Sequence, residues 1–118
     1  MDDSAKFLTV AQQLLTEQGV GVVGVAFDSS QALTQLDVLR PDVILVDVGL
    51  GDESGFDLAE RIAGHNGSNG WPTETILIST RTEEDLRDLV EDSPAAGYLE
   101  KVALSAQAIR NLLAPRCR

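Results

Sequence analysis

The chain has 118 residues, 43% of them hydrophobic, which suits one core; no repeat or low-complexity segment interrupts it, so a single domain over residues 1–118 with no output domain is expected. Nine Lys and Arg against 19 Asp and Glu give a formal net charge of -10, which repels nucleic-acid phosphates, so no nucleic-acid partner is expected. The longest apolar stretch, Val20 to Phe27, is far below the roughly 20 residues a bilayer-spanning helix needs, and no basic-then-apolar leader opens the chain; a cytoplasmic protein without membrane insertion is predicted.

Phe7, Val10, Ala11, Leu14 and Leu15 recur at helical spacing between Ser4, an N-cap, and Gly19, a C-cap, which predicts a first amphipathic helix. Val20, Val22, Val23 and Val25 are β-branched and closely spaced, and predict a strand. Asp28, Ser29 and Ser30 then offer capping oxygens to a second helix carrying Ala32, Leu33, Leu36 and Leu39, which Pro41 stops. Val43 to Val46 is apolar on both faces, as in the middle of a parallel sheet, and Asp47 stands at its carboxyl end.

Gly49, Gly51, Asp52 and Ser54 predict a loop, and Phe56, Ala59, Ile62 and Ala63 a third helix ending near Gly64; His65 to Thr73 reads as exposed loop. Ile76 to Ile78 is a second buried-type strand, followed by Thr82 and Asp85 in a capping-box pattern before Leu86, Leu89 and Val90. Tyr98 and Leu99 form the core of a last strand, and Ser105 caps a final helix with Ile109, Leu112 and Leu113. Cys117, the only cysteine, reads as a tail residue. The alternation α-β-α-β-α-β-α-β-α predicts an α/β doubly wound parallel sheet with right-handed crossovers, whose functional groups collect at the carboxyl ends of the strands. Asp47, Ser79 and Lys101 all fall there.

Asp2-Asp3, Asp47, Ser79 and Lys101 form one set, and Pro41 through Asp47 with Leu50, Asp52 and Gly55, together with Gly97-Tyr98-Leu99-Glu100-Lys101, resembles the response-regulator receiver domain over nearly the whole chain. The resemblance implies a flavodoxin-like receiver fold and a stand-alone phosphorelay domain in which Asp47 accepts a phosphoryl group from a sensor histidine kinase or phosphotransfer protein. It implies Mg²⁺ held by Asp3 and Asp47, with Asp2 through water and the Gly49 carbonyl. It further implies phosphoryl contacts from Lys101 and Ser79, a Ser79–Tyr98 switch, and a downstream protein partner on the face it moves. Oxygen ligands suit a hard divalent cation, and a lysine ammonium suits a phosphoryl oxygen. Beyond its own phosphorylation and dephosphorylation, no enzyme activity is expected.

The family opens with a hydrophobic strand before its acidic pair; here the acids are residues 2 and 3, so the first strand is expected to be missing, leaving a gap of ~10 Å at ordinary strand spacing. Three arrangements answer this: a start upstream of residue 1, Val20–Val25 moving beside Val43–Val46, or a strand from a neighbour. Gly51 and Val102 stand where the family usually has proline, and Thr80 where a smaller residue is usual. An alternative function is a non-phosphorylated pseudo-receiver acting as an interaction module. A haloacid-dehalogenase-type phosphatase would need an aspartate where Gly49 stands, and the G-x-G-x-x-G at Gly19–Gly24 reads as glycine spacing within a strand.

Overall fold

Helices form where the apolar spacing meets a cap. The computed structural model describes residues 5–50, 53–69, 73–80, 87–88 and 90–113. Helix α1 (Ala5–Glu17) buries Leu8, Ala11 and Leu15, and the chain leaves it through Gly19, whose φ of +88° a side chain would strain. Val10, placed in the apolar stripe by spacing, faces solvent at 57% exposure. Helix α2 (Ser29–Leu39) starts on Asp28, whose Oδ1 accepts the Gln31 N–H at 2.8 Å, and ends on Arg40, in the left-handed region just before Pro41.

Strand β1 (Val43–Asp47) leads into a two-residue antiparallel ladder, β2 (Gly49–Leu50) with β3 (Glu53–Ser54), where the sequence predicted plain loop. Helix α3 (Gly55–Asn69) follows, then β4 (Glu74–Ser79), β5 (Gly97–Glu100), a 3₁₀ turn at Lys101–Ala103 and helix α4 (Ala106–Leu113). The Ser105 hydroxyl accepts the Ala108 N–H at 3.0 Å, the cap expected of it. Arg87, Asp88, Val90 and Glu91 are helical; Thr82, Asp85, Leu86 and Leu89 of that predicted helix lie outside the described residues, as do Ser4 and Cys117.

The main sheet is parallel, in the order β1-β4-β5. Successive residues of a strand face opposite sides. Val46, Leu77 and Tyr98 pack with Ala32 and Leu36 of α2 and Leu58, Ala59 and Ile62 of α3. On the other side Ile76, with Val43, Leu45 and Leu99 against it, packs with Ala11 and Leu15 of α1 and Ile109 of α4. Helices thus cover both faces of one parallel sheet, the expected doubly wound α/β sandwich.

Two expectations are corrected. Val20–Val25 is not a strand: among the described residues, 20–26 pair with no strand, and the hydrogen bonds around them run to the helices instead. The Val20 N–H donates to the Leu15 carbonyl at 2.9 Å, the Phe27 N–H to Gln31 Oε1 at 2.9 Å, and Gln35 Nε2 to the Val25 carbonyl at 2.7 Å. The segment therefore has not moved beside β1, and a cavity of about 420 Å³ is lined by both, with Leu8, Leu15 and Leu36 among its walls. Nor are residues 65–69 loop, because α3 continues through them to Asn69.

Ile62 lies wholly buried between α3 and the sheet, so Ile62→Ala leaves a cavity that this packing cannot refill. A loss of roughly 2–5 kcal/mol is expected, read as a lower urea midpoint at unchanged m-value.

Candidate functional site

Register brings the predicted residues to one edge. Asp47 is paired with Ile78 and Ile78 with Leu99, so Ser79 stands one step past that row on β4 and Lys101 two steps past it after β5. The Val48 N–H donates to the Ile78 carbonyl at 2.9 Å, and the Val48 carbonyl accepts from the Gly55 N–H at 2.9 Å, folding the start of α3 back onto the acceptor strand. That return requires a glycine: a Cβ on Gly55 would lie 2.8 Å from Val48 Cα and collide with the Asp47 carbonyl oxygen.

Alternation sorts the side chains. Asp47 follows Val43 and Leu45 by twos and so shares the α1 side of the sheet, whereas Ser79 follows Leu77 by two and shares the side of Tyr98. Lys101 Nζ lies 3.4 Å from Asp47 Oδ2, with side chains 16% and 10% exposed. This is long for a hydrogen bond and is chiefly a charge contact, strengthened by partial removal from water. The same ammonium stands 4.3 Å from the centroid of the Phe7 ring, within cation–π range.

The structure thus joins Asp47 to Lys101 and sets Ser79 on the adjacent strand end, buried like Asp47. Tyr98 is buried among Val46, Leu58 and Leu77. Gly49 opens the small hairpin two residues after Asp47, its backbone paired with Ser54. Asp2 and Asp3 lie outside the described residues, and among the described residues no group of three or more His, Cys, Asp or Glu gathers as a metal cluster. Phe7 was missed as a site residue because its helical spacing reads equally well as core. Only its nearness to Lys101 distinguishes it.

A parallel α/β sandwich with a carboxylate–ammonium pair at the carboxyl ends of its strands defines a flavodoxin-like domain with its site at the sheet edge. Residues 1–114 match the response regulator receiver domain family, and the chain belongs to it: it is a signalling domain of two-component systems. A protein-glutamate methylesterase/protein-glutamine glutaminase of Halobacterium salinarum is 33% identical over 85 residues, covering 72% of this chain and 23% of that protein. The transcriptional regulatory protein PdtaR of Mycobacterium tuberculosis is 26% identical over 100 residues, covering 85% of this chain and 46% of its own length. The chain therefore spans less than half the length of these two relatives. Among solved structures, the signal receiver domain of NarL from Mycobacterium tuberculosis matches with a TM-score of 0.80 at 28% identity, covering 99% of this chain and 93% of that one. Chemotaxis protein CheY4 of Vibrio cholerae shares the fold at a TM-score of 0.77 and 23% identity, covering 97% and 92%. Among the described residues no helix is long and apolar enough to cross a membrane.

Proposed function

We propose that this chain is a phosphoacceptor domain in which Asp47 takes a phosphoryl group from a sensor histidine kinase or phosphotransfer protein and switches a face read by a downstream partner in the cytoplasm. The observation that carries the reading is the largely buried Lys101–Asp47 contact at the carboxyl end of the sheet. An Asp47 carboxylate oxygen attacks phosphorus, the bond from phosphorus to the donor's nitrogen or oxygen breaks, and the leaving group departs with the electron pair. An acyl phosphate remains on Asp47. Lys101 donates to a phosphoryl oxygen that gains charge, and the Ser79 hydroxyl to another.

Mg²⁺ fits the donor chemistry, since the Asp47 carboxylate and the Gly49 carbonyl are hard oxygen ligands; Asp3 would bind it directly and Asp2 would act through water. The ion would offset repulsion between the carboxylate and the incoming phosphoryl group. The acyl phosphate carries roughly two negative charges where the carboxylate carried one, spread over three further oxygens at one strand end, and Ser79 drawn toward it would open space that Tyr98, on the same face of the sheet, can enter.

Incubation with acetyl phosphate and Mg²⁺, followed by intact mass, is expected to show the gain of one phosphoryl group, falling to background when EDTA removes the metal. A folded sample that gains nothing would instead support the interaction-module reading, in which the same face binds partners without phosphorylation.

A further inference from the structure

We propose that Phe7 is a positioning residue of the acceptor site, its ring holding the Lys101 ammonium beside Asp47 before a phosphoryl donor arrives. The inference rests on the acceptor reading and adds to it a residue drawn from the core of the first helix.

Lys101 begins the 3₁₀ turn after β5, and the Leu104 N–H donates to its carbonyl at 3.3 Å, so its main chain is set. Its side chain is not set by that turn, because four methylenes give the ammonium many rotamers. Among the contacts that select between them are Asp47 Oδ2 at 3.4 Å and the Phe7 ring centroid at 4.3 Å. Phe7 can offer its ring there because it lies one turn before Ala11 on the helical face that packs on the α1 side of the sheet, the side to which alternation assigns Asp47.

The chemistry of the restraint matters as much as its place. A ring face attracts the cation through its quadrupole and takes neither its proton nor its charge. The ammonium is therefore ordered while keeping its charge for the phosphoryl oxygens, and part of the cost of ordering a long side chain is met before transfer begins.

The test uses the full chain with acetyl phosphate and Mg²⁺, comparing wild type, Phe7→Tyr, Phe7→Leu, Lys101→Met and the Phe7→Leu/Lys101→Met double variant. Phe7→Leu is expected to slow phosphoryl gain about three- to tenfold, with Phe7→Tyr within about twofold of wild type. In the Lys101→Met background, Phe7→Leu should cause no further slowing, since the ring acts only through the ammonium. The Lys101 Hε proton resonances should be shifted upfield by the ring current in wild type and Phe7→Tyr, and return downfield in Phe7→Leu. Equal slowing by Phe7→Leu with and without Lys101 would overturn the proposal and leave Phe7 a packing residue, as would Hε resonances insensitive to the substitution. Failure of the acceptor reading shows separately, as no mass gain in wild type; the phosphoryl-positioning role falls with it, while the Hε shift still reports whether ring and ammonium meet.

Discussion

Asp47→Asn is expected to abolish phosphoryl gain entirely while leaving the chain folded. A carboxamide is neutral, its oxygen lone pairs are drawn into amide resonance, and it cannot yield an acyl phosphate, so no residual rate through this residue is expected. The shape is kept, and the amide oxygen can still accept from Lys101. Stability should change by no more than about 1 kcal/mol, because the lost charge contact is offset by no longer holding a carboxylate that is mostly out of water. Intact mass after prolonged acetyl phosphate treatment, with a urea titration of the same sample, reads both quantities. A full mass gain in the variant would move the acceptor to another side chain.

Gly55→Ala is expected to damage stability and site together, against the usual direction of such a change. At a helical position, replacing glycine by alanine gains roughly 0.5–1 kcal/mol from reduced backbone freedom. Here φ is not the obstacle, since Gly19 is the only described glycine in the left-handed region; space is. The new methyl would meet the Asp47 carbonyl and Val48 Cα, both main-chain atoms that cannot swing aside as a side-chain end can. Overpacking of this kind costs about 1–3 kcal/mol, which exceeds the propensity gain. The relief available is for β1 to withdraw from the start of α3, carrying Asp47 away from Lys101. A lower urea midpoint and slower phosphoryl gain are therefore expected together. Gly64→Ala is the matched control, because a Cβ there meets nothing within 4 Å.

The legible parts of the sequence were those whose chemistry is local. Val43 to Val46 reads as a strand because it is apolar on both faces, although it stands at one end of the described β1-β4-β5 order and not in its middle, and Asp28, Gly19 and Ser105 read as caps because each side chain, or its absence, acts on backbone within a few residues. The Val20–Val25 segment failed for the opposite reason. β-Branched residues favour extended backbone, but a strand also needs a partner at ladder distance, and that is a property of the tertiary structure. Gly67 and the asparagines around it point to loop over residues 65–69, yet these weak helix formers continue α3. In the site, Asp47, Ser79 and Lys101 were legible from their places after three apolar runs. The Lys101–Phe7 contact was not, since it joins residues far apart in sequence through side chains whose directions no spacing rule fixes.

The glutamines of α2 have a consequence for how the molecule opens. Gln31 and Gln35 bind the backbone of the segment between the first two helices, and Leu15 of α1 binds its start, so these bonds run to helices. Cooperative units of local unfolding follow such bonds more closely than chain order. The segment thus belongs to the same unit as α1 and α2, whose buried faces cover the β1-β4-β5 sheet, so loosening it would uncover both sides of the sheet and, through α1, disturb the acceptor end.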